Sequence, residues 1–168
     1  IEILYFWSYM PLKSSFLKFM SVKINYIKKT PSKTTSNLVL FSNEKFNLSS
    51  LKKYLSNTEF SYINDLLKTN DLKKNLFVFE VNSKKNIVLI SIKNNFKTSD
   101  IENLGAEFFG RINFGKNSEY FVNSDSVVGK HENLLGHFLY GLKLKSYEFN
   151  KYKTKKDVRT IQINVLGN

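Results

Sequence analysis

The segment from Leu134 to Lys156 reads LLGHFLYGLKLKSYEFNKYKTKK, and two different patterns meet in it. In its first half, Leu134, Phe138 and Leu142 recur at the spacing of one helical face, which predicts an amphipathic helix. In its second half, the aromatic residues are two and three positions apart, which indicates a turning segment and not a continuation of the helix. Gly141 lies shortly before the junction. The stretch therefore predicts a last long helix followed by an irregular segment.

Outward from this segment, strand and helix patterns alternate from Met20 to the end of the chain. Strand patterns fall at 22–26, 38–41, 76–81, 87–92, 119–122 and 159–166. Apolar residues share one helical face at Leu48, Leu51 and Leu55, at Phe60, Ile63 and Leu67, and at Ile101, Leu104, Phe108 and Ile112. The runs 76–81 and 87–92 flank a polar tip and predict a hairpin or adjacent strands near the sheet centre. This interleaving predicts an α/β fold with a mixed sheet.

Two local signals concern the helix that precedes residue 115. Ser99-x-x-Glu102 has the pattern of a capping box, which predicts that Ser99 caps the helix. Gly115 predicts its end. Within the helix, Gly105 is followed by Ala106, and two small residues there favour close helix packing over a phosphate-binding role.

The chain is predicted to divide into an N-terminal extension at 1–19 and one domain at 20–168. The first residues, IEILYFWSYMPLKSSFLKF, are aromatic without helical or strand regularity, and they are interrupted by Pro11 and Lys13. They are too short for a membrane span, and Glu2 stands where a signal peptide would carry basic residues. We interpret 1–19 as a non-native or disordered extension, with Met20 as the natural start. A mature N-terminus before Met20 would contradict this.

The chain has a formal charge of +12, yet only Arg111 and Arg159 are arginines among its 26 basic residues. Arginine is the residue favoured for bidentate contacts with bases and phosphates, so its scarcity weighs against a dedicated nucleic-acid-binding protein. A lysine-rich, asparagine-rich composition is typical of AT-rich codon usage. There are no cysteines, which excludes a disulfide scaffold, a thiolate metal site and a cysteine nucleophile, and suits a reducing cytoplasm.

The run from Lys143 to Lys156 contains six lysines and one acidic residue. It could form an edge that binds polyanions. The alternative, which we favour, is a solvated segment that Tyr147, Phe149 and Tyr152 anchor to the domain.

Catalytic patterns are missing from the sequence. His131 and His137 are six residues apart, about 240° around a helix, so they cannot clasp one metal from a shared helical face. No H-E-x-x-H, G-x-S-x-G or Walker-type glycine loop occurs. The scattered carboxylates have simpler roles in helix polarity and turns. We therefore assign no catalytic, cofactor-binding or metal-binding residue to this chain.

Six residues carry a resemblance to a known family: Gly141, Leu144, Tyr147, Phe149, Tyr152 and Lys153. They match the order G-x-x-L-x-x-Y-x-F-x-x-Y-K, which resembles the end of the N-terminal domain of cytosolic leucyl aminopeptidases. A second, weaker resemblance is Leu104-Gly105-Ala106, which is similar to a Leu-Gly-Ala segment that the family carries after a strand such as 87–92. The family's glycine-rich turn after the central strand is replaced here by Ile92-Lys93-Asn94-Asn95, which departs from the pattern.

The resemblance implies a three-layer α/β/α, macro-domain-like fold that contributes to subunit packing and to active-site access. It implies a cytosolic hexamer that removes N-terminal residues from peptides with two divalent metals (zinc, manganese or magnesium). In the family, the metal ligands and the catalytic arginine lie in the C-terminal domain, in segments like D-S-G-G and N-T-D-A-E-G-R, and neither segment is present here. We therefore expect this chain to be inactive alone, with its catalytic domain and its own copies as partners and peptides as substrates of the full-length enzyme.

A second hypothesis is a stand-alone macro-like binding module for a nucleotide of the ADP-ribose type or for nucleic acid. The sequence lacks a glycine-rich phosphate loop after a strand, which weighs against the nucleotide. The scarcity of arginine and the absence of a recognisable reading element weigh against nucleic acid.

Overall fold

The computed structural model describes residues 19–28, 36–113, 115, 117–127, 131–147 and 158–167. The strands are β1 (Phe19–Ile27), β2 (Asn37–Asn43), β3 (Leu76–Asn82), β4 (Lys85–Ile92), β5 (Glu119–Asn123) and β6 (Val158–Leu166). The helices are α1 (Asn57–Thr69), α2 (Thr98–Ile112) and α3 (Leu134–Tyr147), with 3₁₀ turns at Ser49–Tyr54 and Ser124–Ser126. All six predicted strands are confirmed. The leucine face at 48–55 belongs to a 3₁₀ turn.

The strands form one sheet in the order β1-β6-β5-β2-β4-β3. Neighbouring strands are parallel except β3, which is antiparallel to β4. The predicted hairpin is thus confirmed, but its predicted place near the sheet centre is wrong, because β3 is an edge strand. The reason is topological: β4 pairs with β2 on one side, which leaves only its outer side for β3. The centre of the sheet is made by β5 and β2.

Two apolar cores lie on opposite faces of the sheet, and together they confirm a three-layer α/β/α fold. The larger core holds α2 and α3 against side chains from all six strands, among them Phe41, Ile90 and Ile163. The smaller core holds α1 and the 3₁₀ turn at Ser49–Tyr54 against β2, β3 and β4. Along β2, β3 and β4, the alternation of side chains divides the residues between the two cores.

The two helices α2 and α3 cross at a pair of glycines. A Cβ atom on Gly105 would collide with the backbone carbonyl oxygen of Phe138, and one on Gly141 would collide with that of Glu102. Each glycine therefore lets the backbone of the other helix approach closely. This confirms the interpretation of Gly105 as a packing residue.

The capping box is on a different helix from the one predicted. In α1, Ser56 Oγ accepts a hydrogen bond from Glu59 N at 3.2 Å, and Glu59 Oε2 accepts one from Ser56 N at 2.9 Å. In α2, the N-cap residue is Lys97, so the predicted cap at Ser99 is wrong. The Asp100 carboxylate accepts from Lys97 N at 2.8 Å, so the acid that reaches back to the N-cap nitrogen is Asp100 and not Glu102. That helix ends at Ile112, three residues before the predicted Gly115.

The predicted extension lies outside the described residues except for Phe19, which begins β1. Within the described residues, no helix is long and apolar enough to cross a membrane. The division of the chain at residue 20 stays a prediction.

Candidate functional site

The carboxyl ends of the five parallel strands lie along one edge of the sheet. In open α/β sheets, ligands bind where connections leave neighbouring strands toward opposite faces. Here the connection after β2 leads to α1 on one face, and the connections after β4 and β5 lead to α2 and α3 on the other. A macro-like nucleotide site would therefore lie at the carboxyl end of β2.

Several polar groups at this edge pair with one another, whereas the buried Asn123 Oδ1 at the end of β5 and Ser91 Oγ of β4 have no hydrogen-bond partner among the described residues. Asn43 Oδ1 accepts hydrogen bonds from the backbone nitrogens of Lys45 at 3.2 Å and Asn47 at 3.1 Å. Ser126 Oγ accepts from Phe41 N at 3.0 Å and donates to Asn123 O at 2.7 Å. These bonds stabilise the turns after β2 and β5, and they leave fewer backbone donors for a ligand.

The N-terminus of α2, which follows β4 at this edge, carries an acid of its own. Its first turn holds the Asp100 carboxylate, whereas Glu59 in the first turn of α1 pairs with Lys85, the first residue of β4, and so lies at the opposite edge. An N-terminus that binds phosphate offers free backbone N–H groups to a negative charge. Here the Asp100 carboxylate already accepts from the backbone N–H group of Lys97, so a phosphate at this helix would meet like charge. The N-terminus of α2 therefore does not fit a phosphate-binding site, whereas the first turn of α3 carries no acid.

The two histidines lie apart. His131 precedes α3, and its Nε2 is 2.9 Å from Lys93 O, so it joins the loop before α3 to the loop after β4. His137 lies on α3, with its Nδ1 3.6 Å from Glu102 Oε1 on α2. Among the described residues, no group of three or more His, Cys, Asp or Glu side chains could hold a metal ion.

The six family-motif residues are only partly described. Gly141 is buried in the crossing of α2 and α3, whereas Leu144 and Tyr147 are exposed on α3, at 48% and 59%. Phe149, Tyr152 and Lys153 lie outside the described residues. Tyr147 therefore does not anchor the lysine-rich segment in the core, in contrast to the expectation from its aromatic side chain.

The first lysine of that segment, Lys143, holds α3 to the sheet. Its Nζ donates to Val22 O of β1 at 2.6 Å and lies 5.5 Å from the centre of the Tyr147 ring. The ring face attracts the ammonium group, so Tyr147 and β1 fix this side chain together. Lys143 thus has a structural role that the count of lysines did not reveal.

A buried ion pair joins α1 to β4. Lys85 Nζ is 2.5 Å from Glu59 Oε1, and both side chains are at least nine-tenths buried. Burial on its own would raise the pKa of Glu59, but the hydrogen bond from Lys85 and those at Ser56 outweigh it, so this pKa is lowered. Every oxygen of the carboxylate has a partner within the fold, which makes the pair structural. The sequence signal that could have located it is Ser56-x-x-Glu59.

The sheet has one half that no described helix covers. Side chains of β1, β6 and β5 that alternate with core residues point to the same face as α1, yet α1 and its 3₁₀ turn cover only β2, β3 and β4. We call this surface the open half-face; it comprises Ser21, Lys23, Asn25, Glu119, Thr160, Gln162 and Asn164. Four of these residues are exposed, namely Lys23, Glu119, Thr160 and Gln162.

Polar side chains tie the open half-face together across its strands. Ser21 and Thr160 are joined by a hydrogen bond of 2.9 Å between their hydroxyl groups. Asn25 Nδ2 donates to Asn164 Oδ1 at 2.9 Å, and Asn164 Nδ2 donates to Glu119 Oε1 at 2.7 Å. Parallel strands are normally covered on both faces. The face is exposed at Lys23 and Gln162 but buried at Asn164 and at the neighbouring Phe121, so its exposed polar part is suited to a polar interface.

No protein-family model and no curated protein matches the sequence. Among solved structures, a mutant of tomato leucine aminopeptidase is similar, with a TM-score of 0.60 and 14% identity over 88% of this chain and 32% of that one. The macrodomain of DarG from Thermus aquaticus is also similar, with a TM-score of 0.54 and 10% identity over 88% of this chain and 100% of that one.

These likenesses show the fold. The macrodomain neighbour confirms the predicted macro-domain-like α/β/α architecture. The chain spans about a third of the length of the aminopeptidase that it resembles. Each of the two functional hypotheses has a structural neighbour.

Proposed function

We propose that this chain is the N-terminal, non-catalytic domain of a leucyl aminopeptidase, where it contributes to subunit packing and to access to the active site. The open half-face is the observation that carries the proposal. Among the described residues no helix covers this face of β1, β6 and β5, and a domain of a larger enzyme can bury its exposed polar side chains against the rest of the molecule. The likeness to tomato leucine aminopeptidase and the motif at Gly141–Lys153 support the same hypothesis, an aminopeptidase domain.

The proposed partners follow from this role. The open half-face packs against the catalytic domain of the same chain or of another subunit in a homo-oligomer, a hexamer in the family that the motif resembles. Peptides are substrates of the full-length enzyme, in the cytoplasm. The two divalent metals, manganese or zinc, belong to the catalytic domain, since the described residues offer no set of ligands for them.

Charge reversal on the open half-face tests the proposal. Lys23→Glu is made in the full-length gene product, with Lys45→Glu as the matched control, because both lysines are exposed and only Lys23 lies on the open half-face. We expect Lys23→Glu to lower leucine release by about tenfold, as for the loss of one interface charge pair, and Lys45→Glu to leave it unchanged. Equal activity in the two variants would contradict the proposal.

The second candidate function is a macro-like module that binds a nucleotide. Its support is the likeness to a macrodomain over that protein's whole length. The Asp100 carboxylate at the N-terminus of α2 weighs against it, because it accepts from the backbone N–H group of Lys97 and repels a phosphate there.

A further inference from the structure

Along the outer edge of β3, the backbone groups of Leu76 and Val78 have no hydrogen-bond partner among the described residues. Ser91 N donates to Asn75 O at 2.7 Å, which shows that residue 75 faces β4. Because antiparallel ladders alternate, Phe77 and Phe79 also face β4, and the backbone groups of Leu76, Val78 and Glu80 point outward. The Tyr62 hydroxyl donates to Glu80 O at 3.3 Å from outside the ladder, in agreement with this direction.

This edge has little of the protection that edge strands usually carry. Natural edges are blocked by lysine, proline, short strands or bulges. β3 is seven residues long and reads LFVFEVN, and Val78 at its middle is 38% exposed. The register shifts between Glu80 and Asn82, so the bulge blocks only the far end. Leu76 to Glu80 is therefore a regular strand edge that can accept another strand.

The surface beside the edge carries charges of both signs. A cleft of about 410 Å³ lies next to β3, and its lining includes Lys74, Val78, Glu80, Asn86 and Arg111. Lys74 precedes β3 and Glu80 lies near its end, both on the side of the cleft. Positive charge at one end of the edge and negative charge at the other make the edge complementary to an inverted copy of itself.

We propose that β3 pairs antiparallel with β3 of a second copy of this chain, around a two-fold axis at Val78. In this register Val78 lies opposite its counterpart and Leu76 opposite Glu80, and each outward pair exchanges both backbone hydrogen bonds. Lys74 of one copy comes diagonally beside Glu80 of the other, within reach of a long side chain. The Glu80 carbonyl has a second lone pair, so the bond from Tyr62 is kept.

The proposal is independent of the aminopeptidase assignment, since a nucleotide-binding module with this edge would pair in the same way. It also uses a different surface from the open half-face, which lies at the other end of the sheet. A failure of one proposal therefore leaves the other standing.

Sedimentation equilibrium of the full chain over roughly a hundredfold range of concentration measures the pairing. We expect a reversible dimer. Val78→Lys places two ammonium groups opposite each other and should raise the dissociation constant by at least about tenfold, whereas Val78→Thr, a β-branched control, should change it by less than about threefold. A monomer at every concentration, or an oligomer that Val78→Lys leaves unchanged, would overturn the proposal.

A charge exchange gives a second test that does not depend on position 78. Lys74→Glu and Glu80→Lys alone should each weaken the dimer, because each sets like charges diagonally across the axis. The double variant Lys74→Glu/Glu80→Lys should recover most of the loss. A double variant whose dimer is as weak as that of the single variants would refute the register. Thermal unfolding of each monomer verifies that β3 still folds.

Discussion

Among the charged residues that the structure describes, Glu59 and Lys85 are the two that are buried. Their ion pair connects the first turn of α1 to the first residue of β4, so it fixes the helix on one face of the hairpin. Taking two charges out of water is costly, and their attraction with well-placed hydrogen bonds offsets that cost. Removal of one partner leaves the other charge buried and unpaired, which is the costly state.

Substitution of either partner should destabilise the fold in a pH-dependent way. Lys85→Met should lower the free energy of unfolding by about 3 kcal/mol at neutral pH. For Glu59, the pKa in the folded state is lowered from 4.5, so its carboxylate stabilises the fold above that pH, and this stabilisation is lost as the pH falls through the folded-state value. The difference in stability between the wild type and Glu59→Gln should therefore be largest near pH 7 and shrink in acid, as measured by urea unfolding.

An exposed ion pair is the control for this measurement. Lys68 and Asp65 are 3.0 Å apart with both side chains 67% exposed. Asp65→Asn should change the free energy of unfolding by less than about 0.5 kcal/mol, because solvent screens such a pair. A Glu59→Gln effect that is equally small, or that does not vary with pH, would contradict the structural role of the buried pair.

At the scale of elements, the crossing of α2 and α3 depends on the absence of two side chains. Gly105→Ala and Gly141→Ala should each lower the free energy of unfolding by about 3 kcal/mol, because the added methyl group pushes the opposing backbone away. Gly110→Ala is the matched control on the same helix, where no described atom lies within 4 Å of the added Cβ.

Gly110→Ala should raise the free energy of unfolding by about 0.5–1 kcal/mol, through helix propensity alone. Chemical denaturation of the three variants measures the contrast. Three similar values would mean that the close approach of the two helices does not limit their packing.

Sequence patterns predicted the helices and strands better than their ends. Two patterns were sufficient to predict α2 and β6, because burial on one face places apolar residues at regular spacing. They are the apolar stripe of Ile101, Leu104, Phe108 and Ile112 and the alternation along β6. The N-cap of α2 was not predictable in this way, since Ser99-x-x-Glu102 and Lys97-x-x-Asp100 compete for the same first turn. The capping box at Ser56 and Glu59 has the same sequence pattern as Ser99-x-x-Glu102. It follows the 3₁₀ turn at Ser49–Tyr54, whose apolar residues have the spacing of a separate helix.

At the scale of the whole molecule, strand order was the part that the sequence could not provide. Periodicity locates each strand but does not identify its neighbours, so β3 was expected near the centre although it forms an edge. The open half-face left a signal in the alternation of β1 and β6, which is unusual for parallel strands. That signal became interpretable only when the sheet order showed that both strands are parallel and adjacent.

The proposed function makes this domain part of an aminopeptidase, with its open half-face buried against the rest of that enzyme. The most direct test is to read the gene onward from the codon for Asn168. The proposed function predicts an open reading frame that continues into segments resembling D-S-G-G and N-T-D-A-E-G-R, which would carry the metal ligands and the catalytic arginine. An immediate stop codon would contradict it and leave a stand-alone macro-like module with its ligand still to be found.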